Sequence, residues 1–228
     1  MQLGILNCGQ PPESVSAVHG NYAVWFENLF GPHGINQSVW DVENLIFPDD
    51  PYDADAWLVT GSPHGAYEAH AFIEPLEEFI RDIHAAQVPM VGICFGHQII
   101  AQAMGGKVEK FEGGWEFGRR SYETASLGEV HLTAFHQDQV VELPPGAEVV
   151  ATTPGCQYAG LAYGHACITL QPHPEIDPVI LADYISRFRS DKKDIPALMI
   201  EKAALDLSLP TQELEVGAWL AEILLQGN

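Results

Sequence analysis

Residues 88–106, VPMVGICFGHQIIAQAMGG, place a cysteine at Cys94 between two glycines, Gly92 two positions before it and Gly96 two positions after. An apolar run precedes the cysteine and an apolar, helix-compatible run follows. The stretch therefore reads as a strand, a sharp turn with Cys94 at its apex, and a helix. The glycines remove side chains where the backbone must fold tightly and where a ligand must come close. This is the layout of a nucleophile elbow, here carrying a thiol in place of a hydroxyl. A thiol at a helix N-terminus meets the positive end of the helix dipole and several N–H groups without intrahelical acceptors. Both favour the thiolate, which is the nucleophilic form.

A nucleophilic cysteine needs a base. Residues 166–170, ACITL, form a β-branched apolar run that reads as a buried strand. It leads into Gln171-Pro172-His173-Pro174-Glu175. Prolines on both sides of His173 end the strand and keep the backbone extended. His173 is thereby expected at the carboxyl end of its strand, as Cys94 is, and in open parallel sheets that edge binds ligands. Glu175, two residues on, can accept a hydrogen bond from the imidazole, fixing its tautomer and stabilising the imidazolium. The plain alternatives are a buried structural cysteine, a surface turn histidine and a solvated carboxylate. Their occurrence together favours a nucleophile–base–orienter triad.

GICFGHQ followed by QPHPE resembles the class I glutamine amidotransferases of the triad type. Supporting segments extend the resemblance over about residues 1–177. Thr60-Gly61-Ser62-Pro63 follows the strand-like AWLV, where the family has its oxyanion loop; Phe135-His136-Gln137-Asp138-Gln139-Val140 resembles the H-x-D-x-V segment of the GMP synthase glutaminase domain; and Gly113-Gly114-Trp115-Glu116-Phe117-Gly118 falls at a short substrate-side segment. The resemblance implies attack by Cys94 on a γ-glutamyl amide, with ammonia leaving and a γ-glutamyl thioester then hydrolysed. It implies an oxyanion hole from the N–H of Phe95 with that of Gly61. It places Gln98 at the glutamine pocket, with His136 shaping that pocket and Asp138 meeting the substrate amino group. A structural turn at His136 and Asp138 is the alternative. The oxyanion loop reads TGSPHGAY rather than a glycine pair followed by proline. That spelling resembles stand-alone members, among them plant-type γ-glutamyl peptidases. Three functions stay open: a glutaminase subunit passing ammonia to a separate synthetase, a free-standing γ-glutamyl peptidase, and a silent regulatory relative.

The elements that must position these residues alternate along the chain. Strands are expected at residues 3–8, 38–42 and 56–59. Helices are expected at 21–30, with apolar spacing at Val24, Trp25 and Leu29, and at 74–86, with Leu76, Phe79, Ile80 and Ile83 on one face. Such alternation predicts an α/β fold of three layers, α/β/α, on a mostly parallel, open, flavodoxin-like sheet. From about residue 121 to 170, short strands and turns predict antiparallel strands beside that sheet. The domain is read as residues 1–190. Residues 191–228 are read as a helical extension packed on it, with Thr211 as N-cap of the last helix; a lid or dimer element is the alternative for this pair.

Composition narrows the rest. The 228 residues are 46% hydrophobic, enough for a real core. With 31 acidic and 10 basic side chains the formal charge is −21, which argues against nucleic acid and anionic membrane surfaces as partners. No apolar run reaches membrane-spanning length. The start, MQLGILNCG, reads as a core strand rather than a signal peptide, and the four cysteines show no zinc spacing, so a reducing cytoplasm is expected. His97, His64, His70 and Cys8 are read as packing or surface residues. Despite ten histidines, no helical H-x-x-x-H pair, phosphate loop or dinucleotide fingerprint is present, so no metal and no cofactor is expected.

Overall fold

The computed structural model describes residues 1–164, 166–190 and 195–226. The chain order is β1 (Gln2–Asn7), α1 (Glu13–His19), α2 (Tyr22–Phe30), β2 (Asn36–Asp41), β3 (Ala56–Val59), α3 (Ile73–Ala85), β4 (Met90–Ile93), α4 (Phe95–Ala103), β5 (Lys107–Lys110), β6 (Glu116–Thr124), β7 (Gly128–His136), β8 (Asp138–Glu142), β9 (Glu148–Thr153), β10 (Cys156–Tyr163), β11 (Cys167–Leu170), α5 (Pro178–Ser190), α6 (Ala197–Asp206) and α7 (Glu213–Gln226).

Among the described residues a nine-stranded sheet runs β2-β1-β3-β4-β11-β10-β9-β6-β7. The first five strands pair in parallel, with Cys167 to Leu170 of β11 in register with Met90 to Ile93 of β4. Strands β10, β9, β6 and β7 continue it antiparallel. The expected antiparallel insertion, and the return to the parallel sheet at β11, are both seen. A small ribbon of β5 and β8, unforeseen from the pattern, lies against α4.

The strands β3, β4 and β11 are buried at every position, so they read as continuous apolar runs rather than alternations. Helices α3 and α4 cover one face, with Leu76, Phe79, Ile80, Ile99 and Ile100 in a single core cluster. Helices α2 and α7 cover part of the other face through Phe26, Leu29, Phe30, Leu220 and Leu224. Helices α5 and α6 complete that side around Phe117, Ile180, Tyr184, Phe188 and Ile200. Three layers result, as expected.

Local chemistry explains the element ends. The Asn21 side chain caps α2 by accepting from the Val24 N–H at 3.2 Å. Val24 itself is 38% exposed, so the buried stripe of α2 is Trp25, Phe26, Leu29 and Phe30 instead. The last helix starts later than expected. Gln212, not Thr211, precedes its first turn, and the Gln212 side chain accepts from the His131 N–H at 2.6 Å. The boundary read between residues 190 and 191 falls at residues 191–194, outside the described residues. Helix α6 rests on β6 and α7 rests on α2; neither contributes a residue to the cleft described next.

Candidate active site

The carboxyl ends of β3, β4 and β11 open into a cleft of about 480 Å³. Gly61, Cys94, Phe95, Gln98, His136, Asp138 and His173 all line it.

Cys94 follows β4 and caps α4 with φ 54° and ψ −101°, a conformation costly for a residue with a Cβ. Its N–H is tied to the Leu170 carbonyl at 2.8 Å, locking the turn to the end of β11. The flanking glycines serve the first of the two roles expected of them, close backbone packing. The positive φ lies at Cys94 and not at Gly92 or Gly96. A Cβ on Gly92 would stand 2.6 Å from the Gly96 carbonyl oxygen, and one on Gly96 would collide with the Val59 carbonyl oxygen. These glycines let α4 press onto β4 and β3.

His173 lies just past β11. Its N–H donates to the Thr133 carbonyl at 2.9 Å, and the Thr133 hydroxyl donates to the Ile176 carbonyl at 3.0 Å, so β7 clamps the segment from both sides. Nδ1 of His173 meets Glu175 Oε1 at 2.7 Å. Both side chains are nearly inaccessible, at 7% and 1% exposed. Burial alone would lower the imidazole pKa; the Glu175 carboxylate first, and then the Cys94 sulfur, outweigh it and hold His173 well above its usual value. Nε2 of His173 makes no hydrogen bond of ordinary geometry among the described residues, and the Cys94 sulfur is the group it interacts with on that side. The arrangement leaves one imidazole nitrogen held by a carboxylate and the other available to the thiol.

Gly61 backs onto the base: a Cβ there would lie 3.5 Å from His173 Cε1. The Thr60 hydroxyl accepts from the Cys8 N–H at 3.0 Å and donates to the Gly61 carbonyl at 2.9 Å, pinning this loop to the end of β1. Phe95 is the first residue of α4, so its N–H has no intrahelical acceptor. Both residues line the cleft together with Cys94.

The remaining expected residues also line the cleft. Gln98 is 3% exposed, and its amide is spent internally, donating to the Asp138 carbonyl at 2.8 Å and to Gln171 Oε1 at 3.0 Å. His136 is buried, with its pKa driven down to about 3 by burial and then by the charge of His173; it is a neutral imidazole near neutral pH. The Asp138 carboxylate accepts from the Tyr67 hydroxyl at 3.1 Å, and burial raises its pKa. His97 is brought to none of these groups: Nδ1 meets the Thr169 hydroxyl at 2.8 Å, and burial pushes the imidazole to about 3.

Gln171 escaped the sequence reading. Fully buried, it directs Nε2 at the Cys94 sulfur at 3.5 Å and receives Gln98 on Oε1. A signal was present, because Gln171 precedes His173 by two residues in an extended stretch and so shares its side. Tyr67 and Trp115 also line the cleft; both lie in segments the sequence singles out, the TGSPHGAY loop and the GGWEFG stretch, though neither is read there as a site residue.

Comparison with known proteins supplies the family and supports the fold. The family model described as glutamine amidotransferase class-I matches residues 34–187. The chain is 32% identical over 196 residues to Gamma-glutamyl peptidase 3 of Arabidopsis thaliana, covering 77% of each chain. It is 32% identical over 142 residues to the glutamine-hydrolyzing GMP synthase of Thermotoga maritima, covering 58% of this chain but 27% of that one. Among solved structures, a glutamine amidotransferase from Thermotoga maritima superposes with a TM-score of 0.73 at 22% identity, covering 98% of this chain and 96% of the other. One from Methylobacillus flagellatus gives 0.76 at 19% identity, covering 99% and 93%. A family match over most of the chain, a relative aligned over three quarters of both lengths and a shared fold lead to one assignment: the chain belongs to the class-I glutamine amidotransferases.

Proposed function

We propose that Cys94, His173 and Glu175 act as a triad that hydrolyses γ-glutamyl amide bonds. The observation carrying this reading is the buried 2.7 Å His173–Glu175 pair, whose second imidazole nitrogen is left to the strained Cys94 thiol. In the first step the sulfur attacks the γ-carbonyl carbon. The resulting oxyanion takes the N–H groups of Phe95 and Gly61, donors that typically contribute about 3–4 kcal/mol each. His173 gives its proton to the leaving nitrogen, and ammonia or an amine departs. Water, deprotonated by the same imidazole, attacks the thioester; glutamate leaves and the thiol is restored. Glu175 holds the ring through both steps. Asp138 and Tyr67 provide an acidic, hydrogen-bonding wall suited to a substrate ammonium group.

A free-standing γ-glutamyl peptidase is favoured over a glutaminase subunit by two observations. The relatives aligned over about three quarters of their own length include four named as gamma-glutamyl peptidases, the one already described among them. The cleft, at about 480 Å³, falls in the range of sites that take ligands larger than one amino acid. A cytoplasmic, reducing location that keeps Cys94 free belongs to this same proposal, whereas a synthetase partner belongs to the subunit alternative. No helix among the described residues is long and apolar enough to cross a membrane. The purified chain should release amine from γ-glutamyl peptides, and ammonia from glutamine, without ATP. Absence of both, with Cys94 still alkylated by a small reagent, would instead favour a subunit that needs a docked synthetase.

A further inference from the structure

The loop between β3 and α3 carries a second cluster. Ligand atoms of His64, Glu68 and His70 all lie within 4.8 Å of one another. The two imidazole rings are 4.1 Å apart between centroids. His64 and Glu68 line the cleft, so the cluster stands on its rim. Each group is also oriented. Glu43 Oε1 meets His64 Nε2 at 2.8 Å, fixing that ring and leaving its other nitrogen available. Glu68 Oε2 accepts from the Gly65 N–H at 3.1 Å and meets His70 Nε2 at 2.8 Å. The Phe72 ring packs against both imidazoles, an apolar backing on one side of the cluster.

We propose that His64, Glu68 and His70 hold a zinc-class divalent metal ion at the cleft rim, with one coordination position open. Two imidazoles and one carboxylate suit zinc-type ions rather than the oxygen-seeking magnesium or calcium, and three protein ligands leave a fourth tetrahedral position. Glu43 supplies the carboxylate behind a metal-bound histidine that orients the ring and raises its basicity. Bonds of about 2.0–2.2 Å bring tetrahedral ligand atoms to about 3.4 Å from one another. The cluster reaches this by small rotamer changes, because the side chains of His64, Glu68 and His70 are 24%, 47% and 37% exposed. The ion takes no part in the thiol chemistry. It cross-links the loop that begins at Gly61, and so stiffens the wall carrying one oxyanion candidate. The sequence pattern hid this site because its ligands sit in a loop rather than at helical spacing.

The probe is Zn²⁺ alone, measured by equilibrium dialysis on Cys94→Ser protein, since the thiol and His173 would otherwise compete for the ion. One Zn²⁺ per chain is expected. His64→Ala and His70→Ala should each weaken binding at least tenfold, and Glu43→Gln should weaken it by about tenfold or more. Glu175→Gln should leave it unchanged. Cu²⁺ in the same protein should show two imidazole nitrogens by electron paramagnetic resonance, reduced to one in His70→Ala. Thermal melts verify that the exposed-site variants fold. Failure to bind Zn²⁺ at submillimolar concentration, or binding indifferent to both histidine variants, overturns the proposal; either result leaves the assignment of Cys94 untouched.

Discussion

Replacing Glu175 by Gln keeps the shape of the site and removes one charge. The carboxylate oxygen lies 2.7 Å from His173 Nδ1, with both side chains almost wholly inaccessible. An opposite charge this close typically favours the ionised partner by about 1.4–4 kcal/mol, here the imidazolium. His173 carries positive charge in the attacking state and as it protonates the leaving nitrogen, so the same energy appears in the rate. Glu175→Gln should lower kcat/KM by about 10- to 1,000-fold. It should also move the basic limb of the pH–rate profile, where His173 loses its proton, to lower pH. Stability gives a third reading. A raised folded-state pKa contributes stability that is fully present below the unfolded imidazole value and lost as pH rises through the folded one. The variant should therefore show a smaller loss of denaturation midpoint between neutral and alkaline pH. Amine release across a pH series, followed by denaturant melts over the same series, tests all three. A basic limb that does not move, with kcat/KM near the unsubstituted value, would refute the role given to Glu175.

Three further outcomes are expected. A glutamine-mimicking electrophile should label Cys94 alone by mass spectrometry, because burial raises the thiol pKa of Cys8 and pushes those of Cys156 and Cys167 up to about 12; label on one of these with Cys94 free would sink the nucleophile assignment. Gln171→Leu removes a donor aimed at the sulfur and, at about 1.5–3 kcal/mol for a hydrogen bond to a charged group, should cut kcat roughly 10- to 100-fold with KM changed less; unaltered kcat and an unaltered rate of Cys94 alkylation would make Gln171 purely a packing residue. Gly96→Ala drives a methyl group into the Val59 carbonyl and should cost about 1–3 kcal/mol or more, lowering Tm by roughly 2–12 °C; an unchanged melt would mean that α4 does not press on β3 as described.

The legible parts of the site were those built from neighbours in sequence. Cys94 is carried by its own strand and helix. Its apex position follows from the residues within a few places of it, because a parallel strand feeding a helix permits few geometries. His173 and Glu175 are separated by one residue, so an extended backbone alone brings Nδ1 and Oε1 onto one side. The expected strand positions were close to the observed ones for the same reason: β3, β4 and β11 are short, wholly buried and therefore uniformly apolar. The tight packing at the two glycines is legible, but not its partners, because composition shows that a side chain is missing and not what would have struck it. The Val59 and Gly96 groups that demand glycine at 96 and 92 come from the packing of layers.

What stayed hidden depends on contacts between residues far apart in the chain. The β6–β7 hairpin ends with Thr133 bonded to the backbone of His173, and Phe135 offers its carbonyl 3.9 Å from the Cys94 sulfur. Nothing in the local period of β7 announces this, since strand pattern encodes which face is buried but not which distant segment the strand will meet. The strain at Cys94 explains why so much remote structure converges there. A φ of 54° on a residue with a Cβ persists only where the surroundings over-determine it. Here the turn is held by the Leu170 carbonyl on its N–H, by Gln171 at its sulfur and by α4 seated on glycine-cleared strands. Loosening any of these allows the turn to relax and the sulfur to swing away from His173. Rate should therefore fall before fold does, and variants at Gln171 are where that separation is easiest to measure.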